Sequence, residues 1–451
     1  MNIDRSEVGF NVIGYVSANV GLGVAARNLV SLLLEKGIAV AVYDVDAGLG
    51  RSKHDNHFES ITVKAAQDLP YDINLFICDP VSLGLFLCWE NVPVFGRNRL
   101  NVGVIFWELP VLSDSSKNAL KLLDVILCVS DFVRYIVEFN VGSVRTIAAL
   151  QPLFLPSSVP ACRQQLQLPH KKVVFISSFD PSSDWRRKNP LAIVEAFEQA
   201  CLSDDRGYLV LKLNNAHYNG DYHESVNRIL ARCRKNPNIR VVAESFSYAD
   251  VLKLYASCDV FVSLHRAEGL GLGLMEAMSL GKPVIATAWS GNMSFMNHTN
   301  ACLVGCDLTQ VDATVKAYTK AYLGRDAQWA EPRVDEAVIW MRRLMGDSDL
   351  RARIGAKAAR DMAAYQDRAR NADFVEDLGA LREQRMVMRD RSVEKTQRLG
   401  LLREQIDSTY SQSLVQRWIG VQRMNYRVKR LLNRHVLWRF NKRPSVNLPG
   451  A

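Results

Sequence analysis

SLHRAEGLGLGLMEAMSLGKPVIAT, residues 263–287, is the stretch from which the architecture of this 451-residue chain can be read. It continues the apolar run DVFVSL and closes on PVIAT, so a buried strand is expected at each end. Between them stand Glu268, the glycines Gly269, Gly271 and Gly273, and a helix from about Leu272 to Leu280. Strand, glycine turn, helix and strand in that order form a βαβ unit with parallel strands.

The same alternation extends outward. KKVVFISSF (171–179), RGYLVLKLN (206–214) and NIRVVAES (238–245) are strand-like upstream, and helices are expected around 329–345 and 351–365. A second set begins near the N-terminus with NVIGYVS (11–17), the turn NVGLG, the amphipathic VAARNLVSLLLEKG and the strand IAVAVYDVD (38–46). INLFICD, VGVIFWEL, DVILCVS and VRTIAALQ continue it to about residue 151. Near-continuous apolar strands between amphipathic helices indicate parallel sheets covered on both faces. LQPLFLPSSVP (150–160), with three prolines and two serines, breaks the pattern and reads as a linker. The expected fold class is therefore α/β, with two Rossmann-like doubly wound domains facing a cleft. Residues 1–160 form the first domain, 161–375 the second, and 376–451 a basic helical tail. Ligands of open α/β sheets bind beyond the carboxyl ends of the strands.

The charge is unevenly spread. The chain carries 56 Lys+Arg against 47 Asp+Glu, yet residues 381–451 alone hold 16 cations and 5 acids. The basic balance belongs to the tail, so nucleic acid is not an expected partner of the globular body. Nine scattered cysteines, odd in number and without a CxxC pair, point to reduced thiols and a cytoplasmic setting. The N-terminal stretch lacks the basic and cleavage features of a signal peptide. No apolar run is long enough to predict a membrane span. Within the tail, Leu414, Trp418, Val421, Val428, Leu432 and Val436 fall along one helical stripe among arginines and lysines. Such a helix suits an anionic membrane surface; the alternatives are packing on the body or on a second subunit, and RNA or another acidic partner.

In the 263–287 stretch, glycines allow close backbone approach, and the amides opening the helix favour a diphosphate. Glu268 can accept hydrogen bonds from sugar hydroxyls, and Glu276, about a turn into the helix, can reach ribose hydroxyls. The alternative is a helix start whose acids only complement the dipole. In DWRRKNP (184–190), three cations, Arg186, Arg187 and Lys188, precede a proline that suits a first helical turn. Beside a cleft they can neutralise a departing diphosphate; otherwise they are a solvated basic turn. Gly21 and Gly23 shape a βα turn that either meets a ligand or serves packing. Arg27 is expected on the helix surface, and His265 is expected to be structural. Lys212, at a strand end, is a further phosphate-side candidate. DVD (44–46) imitates a metal motif but ends a predicted strand, and no metal is expected.

The spacing Glu268–Glu276 resembles the E-x7-E signature of the family 4 retaining glycosyltransferases, which have the GT-B fold. GLGVAAR (21–27), FWELP (106–110), FDPSSDWRRKNP (179–190) and SGN followed by FM (290–296) resemble the same family, over about residues 10–370. The resemblance implies a nucleotide-diphosphate hexose donor, of GDP-mannose or UDP-glucose type, held by the second domain. It also implies a glycan or polyprenyl-linked glycan acceptor at the first domain, in surface polysaccharide synthesis. No cofactor or metal is implied. Glu268 would face the donor sugar and Glu276 the ribose. The amides of Gly271, Leu272 and Gly273 would hold phosphates or sugar hydroxyls, and Gly21 and Gly23 would approach the donor. Glu268, Lys188 and Arg187 are the candidate catalytic residues. The family places an Arg five residues before the Lys; here Ser183 stands there, so Arg186 or Arg187 must substitute. Trp107 occupies the position of a loop histidine in many relatives, and Trp107 and Glu108 are candidates for the acceptor or sugar loop. A non-catalytic sugar-nucleotide-binding scaffold and a sugar-nucleotide epimerase of the same fold are the alternatives.

Overall fold

A computed structural model of the chain describes residues 8–45, 55–89, 99–202, 204–214, 223–311, 327–372, 374–387 and 392–409. The first lobe runs β1 (Gly9–Gly14), α1 (Gly21–Glu35), β2 (Ala39–Asp44), β3 (Ile73–Cys78), α2 (Pro80–Trp89), β4 (Leu100–Ile105), α3 (Asp114–Leu120), β5 (Val125–Cys128), α4 (Asp131–Asn140) and β6 (Arg145–Ala148). Its six strands are parallel, in the order β2-β1-β3-β4-β5-β6. Every residue of β3 and β4 is buried, as a sheet covered on both faces requires.

Three asparagines interrupt these apolar strands at one level of the sheet. Asn11 is in register with Asn74, and Asn74 with Asn101. Asn11 Nδ2 donates to Asn74 Oδ1 at 2.8 Å, and Asn74 Nδ2 to Asn101 Oδ1 at 2.9 Å. A one-residue slip would break this buried amide ladder, so it fixes the register of three adjacent strands.

The second lobe runs β7 (Val173–Phe179), α5 (Trp185–Lys188), α6 (Pro190–Ala200), β8 (Gly207–Leu213), α7 (His223–Cys233), β9 (Ile239–Val242), α8 (Tyr248–Ser257), β10 (Val260–Ser263), α9 (Leu272–Ser279), β11 (Val284–Thr287), β12 (Cys302–Val304), β13 (Cys306–Gln310), β14 (Gln328–Pro332), α10 (Val334–Gly346) and α11 (Ser348–Asn371). Its parallel sheet has the order β12-β11-β10-β7-β8-β9. This is the nucleotide-binding order of the Rossmann fold. The first sheet instead follows the flavodoxin-like order with one strand added, and both are doubly wound. β13 and β14 form a separate antiparallel pair, so Trp329–Pro332, expected to open a helix, is extended instead.

The last described helices, α12 (Phe374–Val387) and α13 (Ser392–Thr409), return to the first lobe. Arg382 pairs with Asp72 at 2.7 Å, and Asn118 donates to Gln405 at 2.9 Å. Leu402 and Ile406 are buried there. Of the expected tail, α12 and α13 therefore pack on the body, whereas the stripe from Leu414 to Val436 lies outside the described residues. No described helix is long and apolar enough to cross a membrane. All nine cysteines are unpaired thiols.

Candidate functional site

In each sheet the strand order reverses at one point, and the loops leaving the carboxyl ends there diverge to leave a crevice. In the second lobe that point lies between β7 and β10, the strands that lead into residues 180–189 and 264–271. In the first it lies between β1 and β3, next to β4 and its following loop. The two crevices face one another across a cleft of about 590 Å³. Glu268, Lys188, Arg187, Glu276, Gly271, Leu272, Gly273, Gly21, Trp107 and Glu108 all line it; Gly23 does not.

The cationic turn is built by local capping. Asp184 adopts a left-handed φ of 64° and its carboxylate accepts from the amides of Arg186 and Arg187 at 2.8 and 3.2 Å. Asn189, also left-handed, ends this four-residue helix, and Pro190 opens the next. The turn presents Lys188 Nζ to Glu268 Oε1, to which it donates, and Arg187 Nη1 to Glu268 Oε2 at 3.3 Å. Arg187 Nη1 and Nη2 also donate to the carbonyls of Ala267 and Ser183 at 2.8 and 3.0 Å. Its Nε lies 3.2 Å from Glu108 Oε1, an ion pair between the lobes. Of the two arginines considered from the sequence, Arg187 is thus the one aimed at Glu268.

Arg266 holds the turn from behind. Its guanidinium pairs with Glu331 at 2.6 and 2.8 Å and donates to the Arg186 carbonyl at 2.6 Å, while its backbone amide donates to the Arg187 carbonyl at 2.7 Å. The β13–β14 pair therefore braces the cations through Glu331.

Burial by itself would raise the Glu268 carboxyl. The Lys188 ammonium and the Arg187 guanidinium together outweigh it and pull the group down to about 2. Burial pushes the Lys188 ammonium down from its ordinary value, against the Glu268 carboxylate that holds it up. Glu276 has no such cation. Burial lifts its carboxyl to about 7, against the Tyr248 phenol, which donates to Oε1 at 2.9 Å.

Between the two acids Gly271, with φ 99°, forms the N-cap of α9 and lets the chain reverse there. Two further glycines answer to crowding. A Cβ on Gly269 would lie 3.1 Å from the backbone N and O of Trp107, and one on Gly291 would lie 2.0 Å from the Gly269 carbonyl oxygen. The FWELP loop thus crosses directly over the turn that follows Glu268. Nearby, Ser130 Oγ donates to the Gly269 carbonyl at 2.8 Å, tying the first lobe to the same residue.

The structure changes several expectations and agrees with one. Gly23 serves packing rather than the cleft, because a Cβ there would lie 2.1 Å from the Ala18 carbonyl oxygen. Gly21 has open space where its Cβ would be. Arg27 is not a surface residue: it is buried and donates to the carbonyls of Val16 and Ala18 at 2.7 and 3.1 Å, holding the glycine loop in shape. Trp107 is buried with its indole N–H bonded to the Val111 carbonyl at 2.9 Å, so its ring packs into the first lobe. Lys212 is fully buried, its ammonium donating at 2.9 Å to the carbonyls of Leu213 and Glu244 and to Asn214 Oδ1. That is a structural role, not a phosphate-side one. His265 is buried between Ser263 and Asn292 at 3.0 and 3.1 Å, as a structural histidine would be. Asp44 receives the Ser17 amide at 3.3 Å; Asp46, the other acid of DVD, lies outside the described residues. Tyr248 went unread in the sequence. Ser247 before it is a legible helix cap, but a tyrosine at the first helical position carries no motif.

Residues 162–329 match the family model described as glycosyl transferases group 1. No curated protein matches in sequence. Among solved structures, the chain is similar to sucrose-phosphate synthase from Thermosynechococcus elongatus, at 16% identity and a TM-score of 0.59, over 84% of this chain and 99% of that one. It is also similar to Anabaena HepE in complex with UDP and glucose, at 15% identity and a TM-score of 0.53, over 83% of this chain and 100% of that one. The chain spans 57% of the length of the pneumococcal O-GlcNAc transferase GtfA, over 70% of its own length, at 13% identity and a TM-score of 0.47. With its two six-stranded parallel sheets facing a cleft, the chain has the GT-B fold.

Proposed function

We propose that this chain is a retaining glycosyltransferase. It moves a hexose from a nucleotide-diphosphate sugar to a hydroxyl of a glycan or lipid-linked glycan, in surface polysaccharide synthesis. One observation carries the reading: Lys188 and Arg187 converge on Glu268 in the lining of the cleft, which the residues opening α9 also line. The family match over 162–329 and the HepE structure, which holds UDP and glucose, support a donor of this class.

The acceptor hydroxyl attacks the anomeric carbon on the face the diphosphate leaves. The new C–O bond forms as the old one breaks, and the hydroxyl proton departs with the diphosphate. Lys188, Arg187 and the amides of Gly271, Leu272 and Gly273 stabilise the charge that develops on the leaving oxygen. Glu268 holds the sugar ring through its hydroxyls. To do so it must share Lys188 with the incoming phosphates, and its carboxyl, held down to about 2, stays an acceptor throughout the physiological range. The second lobe holds the donor and the first presents the acceptor, so closure of the lobes excludes water. The basic stretch 412–440 holds the enzyme at an anionic membrane surface, where a lipid-linked acceptor would lie.

The test is a thermal-shift panel of nucleotide sugars that includes UDP-glucose and GDP-mannose, followed by mass spectrometry of products. Glu268→Gln should still fold, at a lowered melting temperature because it leaves two buried cations without their anion, and should lose transfer by about 10²-fold or more. An undiminished rate in that variant, or release of free sugar nucleotide isomers without any acceptor, would count against the assignment.

A further inference from the structure

Glu276 is 5% exposed and sits inside α9, one helical turn from the amides proposed to hold the diphosphate. Among the described residues, Tyr248 is the one side chain hydrogen-bonded to it. A buried carboxylate has about four lone-pair directions, and leaving them empty is costly. The phenol fills one of those on Oε1, and both residues line the cleft, the side from which a ligand can fill others.

Tyr248 is itself held firmly. It opens α8 behind the cap Ser247, whose hydroxyl accepts from the Asp250 amide at 3.2 Å. The preceding Phe246 offers its carbonyl to Asn19 Nδ2 of the first lobe at 2.8 Å, and its ring lies 4.9 Å from the buried Lys212 ammonium. The backbone that carries Tyr248 is thus held by its own helix cap, by the neighbouring strand end and by the opposite lobe. A hydroxyl held this way sets the carboxylate plane of Glu276, and a vicinal diol is the ligand whose two donors match one carboxylate.

We propose that Tyr248 is a positioning residue that orients Glu276 toward the ribose 2′- and 3′-hydroxyls, so that the cleft selects ribonucleoside diphosphates over their deoxy counterparts. This rests on the proposed function, which places the nucleotide beside α9. The charged and titratable groups that act on the pair are the Tyr255 phenol of α8, on both members, and the Arg27 guanidinium of α1, on Tyr248. Burial raises the Glu276 carboxyl and the Tyr248 hydrogen bond lowers it. Removing the phenol should therefore move the onset of ribose preference to higher pH.

The experiment is calorimetric titration of the full chain with UDP, GDP and the 2′,3′-dideoxy form of each. The intact protein should bind a ribonucleotide at least tenfold more tightly than its dideoxy form. Tyr248→Phe should narrow that ratio threefold or more by weakening the ribonucleotide alone, with its melting temperature kept. Glu276→Gln should lose the preference, and adding Tyr248→Phe to it should change nothing further. A Tyr248→Phe protein that keeps the full ratio and the same pH onset, or weakens both ligands equally, overturns the proposal and leaves the proposed function standing. An intact protein that binds no nucleoside diphosphate overturns both.

Discussion

Glu268 meets two cations within its own cluster, whereas the side chain bonded to Glu276 is a neutral phenol, so folding shifts the two acids in opposite directions although burial raises both. Folding lowers the Glu268 carboxyl to about 2 and raises that of Glu276 from 4.5 to about 7. Linkage gives each a sign. Glu268 contributes stability above the ordinary carboxylate range and loses it as pH falls toward 2. Glu276 does the reverse: its contribution is intact below 4.5 and is lost as pH rises through about 7. That interval corresponds to ~3 kcal/mol. Glu276→Gln should therefore gain on the parent protein by up to about that amount between pH 4.5 and 8, read from urea unfolding at a series of pH values. Parallel curves for the two proteins would show that the carboxyl is not lifted in the fold. The eight-residue spacing of these acids was legible because both belong to one turn and one helix. Their environments were not, because Lys188 and Tyr248 reach them from segments 80 and 28 residues away.

The two glycines of the GLG turn separate at the level of the element. Gly23 lies where α1 passes the carbonyls of Ala18 and Tyr15, which a Cβ would approach to 2.1 and 2.7 Å. Arg27 from the same helix donates to the carbonyls of Val16 and Ala18, so a shift there would also disturb a buried guanidinium. Gly23→Ala should cost about 2 kcal/mol or more. Gly21→Ala meets nothing within 4 Å, so its stability should stay within about 0.5 kcal/mol of the parent while its KM for donor rises, since the methyl enters the cleft. Unfolding curves and donor saturation curves check the pair, and equal destabilisation by both substitutions would contradict this division. Periodicity located the six parallel strands of the first sheet and five of the second, because each is an apolar run of the right length; β12, three residues long, is too short to show a period. The same signal could not order them: the flavodoxin-like arrangement of the first sheet depends on which strands pair. The asparagines in β1, β3 and β4 were visible as polar breaks, but their ladder needs that order first. The β13–β14 pair was missed because β13 is too polar to register as core, with four of its five residues exposed, and because the short β14 runs almost directly into α10 and reads as its first turn.

Across the whole molecule the chain visits the first lobe twice. It leaves through the proline-rich segment after β6, builds the second lobe, and returns through α11, whose Gln366 accepts the Leu153 amide at 2.7 Å. α12 and α13 then close over the first lobe, where Ile406 Cδ1 would lie 3.1 Å from a Cβ on Gly84, and Arg403 donates to the Cys88 carbonyl. Leu402 and Ile406 are the apolar anchors of that seat, and losing buried groups of this size costs ~2–5 kcal/mol each. The seat also divides the basic C-terminal region into two physical parts. Residues 410–451 hold nine Lys+Arg and no acid, so residues 1–409 carry no formal net charge. Each cation near an anionic surface is worth about 1 kcal/mol, and the attraction would come entirely from beyond α13. A chain ended at residue 372 should thus melt lower and aggregate, because it strips the cover from α2 and α3. A chain ended at 409 should keep the parent's melting temperature and yet lose co-sedimentation with vesicles rich in anionic lipid, which the full chain should show at low salt and release as salt rises. If the 409 protein sediments as the full chain does, the membrane contact belongs to the folded lobes or does not exist. If the 372 protein melts like the parent, α12 and α13 are not part of the cooperative unit that builds the first lobe.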